Sequence, residues 1–318
     1  MTRMNGALVI DKPAGMTSHD VVARVRKIVG ERRVGHTGTL DPFATGVLVV
    51  LIGRATRLAQ FLSGAEKEYE AVIRLGYATD TGDVTGTRLK SESHAKAQST
   101  QSFRREEIER ALASLRGEIE QTPPMYSAKK IAGRRLYELA RRGEEVERKS
   151  VRVNISQFEA LPRDGLMLND RDDGTRDLAV RVVCSAGTYV RSLAETVGER
   201  LGVGAHVVEL RRTHAGRFAI DDATTLDRLS ELMETASIDE AMISPDAAIA
   251  HLPAVCLSND DVTRTLHGMN MQIEDAQARN WSEGEPVRMR DLNGALVAVG
   301  IYDHGQGFIH PKVVVATE

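Results

Sequence analysis

Residues Gly35 to Gly46 read GHTGTLDPFATG and run directly into an unbroken apolar stretch, Val47 to Ile52. Three glycines, one proline and small hydroxyl residues surround a single carboxylate, Asp41, and a single imidazole, His36. Glycine permits close backbone approach and positive φ, and Pro42 fixes the chain immediately after the carboxylate. Such a loop presents polar groups on a rigid frame, and the run behind it predicts a buried strand. The same residues have a second reading, with Asp41 and Thr37 capping the turn before that strand, which is the commoner role of Asp in a Gly/Thr loop. The loop lacks the Lys-Ser/Thr ending of a P-loop and the chain has no GxGxxG, which argues against nucleoside triphosphate chemistry.

Outward from this loop, Ala7 to Ile10 predicts a short strand. A turn at Pro13 and Gly15 follows, then a helix of about ten residues capped by Ser18, with Val21, Val22, Val25, Ile28 and Val29 as its apolar face. On the other side lie a helix carrying Leu58, Ala59 and Leu62, an alternating strand Glu68 to Leu75, an exposed connection Ser91 to Ser102 and a helix near Glu106 to Leu115. Residues 129–152 hold nine Lys or Arg against four Glu, with Leu136, Leu139 and Ala140 spaced as the inner face of a basic helix. Asp164 to Asp177, with five Asp, predicts a mobile acidic loop between two strands. A strand Leu178 to Cys184, a helix Tyr189 to Leu201 and a strand His206 to Arg212 come next. Pro245 and Pro253 bracket a linker, and apolar runs at Leu296 to Ile301 and Phe308 to Val315 predict a small β-rich module. The sum is a mixed α/β (α+β) chain with a large domain at 1–250 and a small one at 251–318.

The bulk numbers exclude several classes. Apolar residues make up 42% and charged ones 27% of 318 residues, as in a folded soluble protein. The longest apolar run is far too short to span a bilayer and the amino terminus has no signal-type apolar region, so a cytoplasmic location and no membrane association are expected. Two cysteines, Cys184 and Cys256, supply neither a disulfide framework nor a zinc site, and the nine histidines show no ligand-like spacing, so no metal is expected. The net charge of −3 hides an asymmetry: residues 221–318 hold 6 Lys and Arg against 17 Asp and Glu, leaving 36 against 28 in the rest. A basic larger part fits a polyanionic partner, but by itself it also fits many enzymes that bind no nucleic acid.

The stretch VGHTGTLDPFATGVL resembles the active-site motif of the TruB family, the tRNA pseudouridine synthases that isomerise uridine 55 in the T-loop. LVIDKPAGMTS, KEYEAVIRLGYATDTGD, TPPMYSAKKIAGRRLYELARRG, and CSAGTYVRSLAE followed by GAHVVELRRT resemble further family segments, in family order. The resemblance implies a pseudouridine synthase core with a curved, largely antiparallel sheet and a cleft across its middle. It likewise implies a PUA-like RNA-binding module at the carboxyl terminus, with the acidic loop as an insertion.

By that resemblance Asp41 matches the catalytic aspartate, Arg191 its paired arginine, and Tyr69 the aromatic packed on the target base. His36 matches the residue that fills the flipped uridine's place, Tyr189 and Leu210 match pocket positions, and Lys12 falls in the opening motif. Taken singly, each also reads as an ordinary residue: core aromatics, a surface cation, plain core, a loop histidine. The implied reaction breaks and remakes a glycosidic bond without redox change, so it needs no cofactor. An arginine beside Asp41 is expected to favour its charged form and depress its pKa, offsetting the desolvation that a closed pocket imposes. RNA affinity is expected from Lys129, Lys130, Arg134, Arg135, Arg141 and Arg142 on tRNA phosphates of the T-arm, the alternative being a solvated face paired to Glu138, Glu144, Glu145 and Glu147. No obligate protein partner is expected. Two other readings are a guide-dependent synthase of the dyskerin type and a non-catalytic tRNA-binding or folding module.

Overall fold

The computed structural model describes residues 4–89 and 103–316 except 128, 132, 141, 145, 164 and 274–279, with backbone alone at 130, 131, 135 and 137. The connection Ser91 to Ser102 lies outside these residues. In chain order, β1 (Gly6–Lys12), β2 (Val34–His36), β3 (Thr45–Ile52), β4 (Lys67–Leu75) and β5 (Gly117–Gln121) come first. A hairpin of β6 (Lys130–Ile131) and β7 (Arg134–Arg135) follows, then β8 (Val151–Ala160), β9 (Asn169–Asp170), β10 (Arg176–Cys184), β11 (Ala205–Ala215) and β12 (Phe218–Ala219). The large sheet runs β1-β3-β11-β4-β10-β8-β5, with β2, β9 and β12 flanking β3, β10 and β11.

Its ladders are antiparallel except at one place, where β3 and β11 meet in parallel at Arg211 with Thr45 and Arg212 with Gly46. Gly46 sits there at φ 98°, and a β-carbon on it would stand 2.2 Å from the Arg212 carbonyl oxygen. Only glycine permits that approach.

β3 is buried along Gly46 to Ile52 because both of its faces are covered. Leu48, Val50 and Ile52 pack with Val21 and Val25 of α1 (Ser18–Val29), while Val47, Val49 and Leu51 pack with Leu296, Val299 and Val313 of the carboxyl-terminal module. That module is a five-stranded sheet of β13 (Ala254–Cys256), β14 (Met271–Gln272), β15 (Pro286–Arg290), β16 (Leu296–Asp303) and β17 (Phe308–Val314), ordered β13-β15-β16-β17-β14. Among the described residues, no helix is long and apolar enough to cross a membrane.

Several local expectations change. The cap of α1 is Thr17, not Ser18: its hydroxyl accepts the Asp20 N–H and Asp20 accepts the Thr17 N–H, a reciprocal capping box. Around Leu58 the chain forms a 3₁₀ segment, Gly53–Leu58, before the single turn α2 (Ala59–Leu62). The helix expected near Glu106 is α3 (Arg105–Ala113).

The basic segment is mostly not helical. Gly133, at φ 81°, turns the chain between β6 and β7, and only α4 (Leu136–Ala140) remains, its Leu136 and Leu139 buried. The acidic stretch is a short hairpin rather than a loop, with Asn169 and Asp170 pairing to Asp177 and Arg176 and Asp173 accepting from Thr175 at its turn. Nor is the stretch after Pro245 a free linker. Following α5 (Val190–Arg200) and α6 (Leu226–Glu234), Pro245 opens α7 (Pro245–Ala248) at a position needing no N–H, and Ala248 and Ile249 are fully buried in the core.

Candidate active site

Asp41 lies in the turn entering β3, at the sheet's parallel junction. Its neighbours on either side are tied down by the opening segment of the chain. Ser18 is turned inward, its hydroxyl accepting the Leu40 N–H at 2.9 Å and donating to the Leu40 carbonyl at 3.2 Å. Lys12 is fully buried, and its ammonium donates to the carbonyls of Pro13, Met16 and Pro42 at 2.9, 2.6 and 3.1 Å. The Gly15 N–H donates to the same Pro42 oxygen at 2.8 Å. Burial lowers the Lys12 pKa to about 8, with Asp41 opposing the fall. Leu40 and Pro42 are thus held while the carboxylate between them is free to face elsewhere.

It faces Arg191, at the start of α5. The guanidinium meets both carboxylate oxygens, Nε to Oδ2 at 2.9 Å and Nη2 to Oδ1 at 3.1 Å. This is the two-pronged geometry that only arginine supplies. Arg191 is sealed in place by the carbonyls of Thr81 and Tyr126 at 2.8 and 2.7 Å and by Asp83 at 3.3 Å. Asp83 is itself fixed by Thr81 and by the Thr85 N–H, each at 2.9 Å. Side-chain exposures of 3% for Arg191 and 6% for Asp83 against 32% for Asp41 leave Asp41 as the accessible member of the three. Since the carboxylate bonds the guanidinium, it is not the cap of its own turn.

The offset expected from Arg191 is only partial. Loss of water around the Asp41 carboxyl pushes its pKa above the ordinary carboxylate value, Arg191 pulls it down less than that, and Asp83 adds to the rise.

Around Asp41 is a cavity of about 260 Å³, walled by Tyr69 on β4, Tyr189, Leu210 and Arg212 on β11, and Lys67. Tyr69 is buried against the Arg212 guanidinium, 6.0 Å from ring centre to Cζ, and burial raises its pKa, so it stands as the neutral phenol. Tyr189 is the N-cap residue of α5. Gln121 clamps it, accepting its N–H at 2.7 Å and donating to its carbonyl at 3.0 Å.

His36 sits on β2, edge-on to His19 with ring centres 5.4 Å apart. Burial lowers its pKa to about 4, which makes it a neutral ring near pH 7. It lies outside the cavity lining, next to Thr37, which lines it.

Of the expected RNA-contacting residues, Lys129 is half-buried and Arg134 and Arg142 are exposed; Lys130 and Arg135 pair across the hairpin. Arg141 is outside the described residues. Arg134 approaches Glu144 at 3.9 Å, so part of the solvated-face alternative is present.

Sequence reasoning overlooked Asp83, Arg212, Lys67 and Gln121. Only Asp83 carried a local signal, an Asp flanked by Thr81 and Thr85. No group of His, Cys, Asp and Glu able to hold a metal occurs among the described residues.

The fold that carries this site is that of pseudouridine synthases, as comparison with solved structures shows. An H/ACA RNP structure bound to a substrate RNA containing 2'-deoxyuridine superposes with a TM-score of 0.70 at 27% identity, covering 98% of this chain and 85% of that one. The archaeal box H/ACA sRNP Nop10-Cbf5 complex gives 0.69 at 27% identity, covering 98% of this chain and 86% of that one.

The description "TruB family pseudouridylate synthase (N terminal domain)" matches residues 26–190, and "tRNA pseudouridylate synthase B C-terminal domain" matches 191–251. The chain belongs to the TruB family of pseudouridylate synthases. It is 41% identical to tRNA pseudouridine synthase B of Geobacillus thermodenitrificans over 93% of this chain and 91% of that protein. To the Bacillus cytotoxicus protein of the same name it is 40% identical over 97% and 94%.

Proposed function

We propose that this chain converts uridine to pseudouridine in the T-arm of tRNA, at uridine 55 of the T-loop, with Asp41 as the nucleophile. The observation that carries this is the two-pronged Arg191–Asp41 contact in a cavity walled by Tyr69. The target uridine leaves its stack at a cost of a few kcal/mol. His36, neutral and beside the cavity lining, takes its place, and Tyr69 stacks on the freed base and retains it between cleavage and rejoining. Tyr189 and Leu210 complete the wall, and Lys12 acts by holding Pro42 rather than by touching RNA.

The ionised Asp41 attacks either the uracil ring or ribose C1′, and Arg191 keeps it charged against desolvation. Because burial raises the Tyr69 pKa, its phenol is a poor base for the final C5 proton, which favours a water there.

In this reading residues 1–250 are the catalytic domain and 251–318 an RNA-binding module of PUA-like kind. The enzyme works in the cytoplasm without an obligate protein partner. The guide-dependent reading is supported by the H/ACA fold likeness, but identity near 41% over nearly the whole chain to proteins named tRNA pseudouridine synthase B outweighs 27%. The purified chain with an unmodified T-arm transcript and no guide RNA is expected to form pseudouridine. Conversion only on adding a guide and its proteins would reject the proposal.

Lys129, Lys130, Arg134, Arg135, Arg141 and Arg142 are assigned to T-arm phosphates. Lys129→Glu with Arg142→Glu is expected to weaken T-arm binding by about tenfold or more and to flatten the slope of log affinity against log salt by about one per lost contact. An unchanged affinity and slope would assign these residues to a solvated face.

A further inference from the structure

Lys67 and Arg212 have no part in the chemistry assigned above, yet both line the same cavity as Asp41. Sheet alternation places Lys67 and Tyr69 of β4 on the cavity side, while Glu68 faces away toward Thr213 and His214. Lys67 is 8% exposed and Arg212 2%. The Lys67 ammonium donates to the carbonyls of Ser63 and Ala65, which leaves one of its three protons. Arg212 donates to the carbonyls of Val47 and Gly38 at 2.7 and 3.1 Å.

The two cations converge on Gly38, where a β-carbon would lie 3.5 Å from Arg212 Nη1 and 4.0 Å from Lys67 Cε. Among the described residues neither forms an ion pair with a carboxylate. Buried cations are ordinarily paired, since dehydrating a charge without a counter-charge is costly. The Arg191 cation, by contrast, is shared by Asp41 and Asp83.

We infer that Lys67 and Arg212 form a receptor for a phosphodiester next to the flipped nucleotide, so that the cavity grips the target by its backbone as well as its base. The inference rests on the proposed action on RNA. A neutral uracil offers only carbonyl oxygens, whereas a phosphodiester carries a full negative charge and is joined to the flipped nucleoside on either side. The Lys67 pKa, lowered to about 8 by burial and by Arg212, fits a site whose counter-charge arrives with the substrate. Gly38 contributes the bare surface between the two cations.

The test uses synthetic T-arm stem-loops in which one phosphate carries a methylphosphonate, placed 5′ or 3′ of the target uridine or, as a control, in the stem. These are assayed with wild type and Lys67→Met. For wild type, one of the two flanking neutral linkages is expected to lower kcat/KM by at least about tenfold relative to the stem control. The same linkage is expected to cost less in Lys67→Met than in wild type, because one of the two cations that hold the phosphate is already gone. Losses that multiply in the variant would overturn the inference. So would a wild type indifferent to both flanking linkages, which needs no variant to fold, or a Lys67→Met defect confined to kcat, which would put the cations on the base. Wild type failing to convert the unmodified stem-loop would instead reject the proposed function itself.

Discussion

Asp41→Asn is expected to abolish turnover, by at least about four orders of magnitude, while the protein still folds and binds the T-arm within severalfold of wild type. The amide has the shape of the carboxylate but no charge, so neither attack on the uracil ring nor attack at C1′ is open to it. Folding survives because the turn is not held by the Asp41 side chain. Ser18 fixes Leu40, Lys12 and Gly15 fix Pro42, and the Ala44 N–H donates to the Asp41 main-chain carbonyl at 3.1 Å. The cost to stability is the loss of one charged partner for Arg191, which keeps Asp83.

The readout is tritium release from tRNA labelled at uracil C5, since rejoining through C5 must expel that hydrogen. Wild type releases label and the variant does not. Release in Asp41→Asn above about one-thousandth of the wild-type rate would remove the nucleophile assignment, because that rate corresponds to losing only about 4 kcal/mol of transition-state stabilisation.

How far these positions were legible differs from residue to residue, for physical reasons. The run Val47 to Ile52 announces a strand covered on both faces because apolar side chains in unbroken succession fit no half-solvated strand. It could not say what covers it, and one cover is the carboxyl-terminal sheet, more than 240 residues on. Thr17 and Ser18 are equally able to cap a helix, and the choice falls to Thr17 because Ser18 is taken by Leu40. The basic segment has helical spacing only at Leu136 to Ala140, and the turn at Gly133 overrides the rest.

Asp41 was visible in its glycine-rich loop, and its partner Arg191 came from the resemblance alone. Nothing local marks Arg191, 150 residues away, as more than a surface cation, and only tertiary structure reveals that it is 3% exposed. Arg212 escaped for the same reason, whereas Asp83 did carry a local signal in its flanking Thr81 and Thr85. The pKa balance failed differently: the arginine and the desolvation it opposes were both anticipated, but their relative size, and the push from Asp83, follow only from the folded geometry.

The second large effect is expected at Arg191. Arg191→Met leaves Asp83 buried with no counter-charge, and removing one partner from such a pair typically costs about 3–5 kcal/mol of stability, so a markedly lower melting temperature is expected. Arg191→Lys is the sharper probe. It keeps the charge but loses the fork that reaches both Asp41 oxygens, Asp83 and the carbonyls of Thr81 and Tyr126 together. A loss of about 10²–10³ in kcat/KM is expected for a misplaced electrostatic partner.

The accompanying pH effect has a definite sign. In the proposed mechanism Asp41 acts ionised, so the acidic limb of kcat/KM is expected to follow its pKa in the free enzyme. That pKa already lies above the ordinary carboxylate value, and Arg191 is the group that most opposes the rise. Weakening Arg191 therefore moves the acidic limb to higher pH, and part of the lost rate returns as pH increases. A limb that stays in place in Arg191→Lys, or moves to lower pH, would mean that the guanidinium does not sustain the charge on Asp41 and that its contact with the carboxylate is structural.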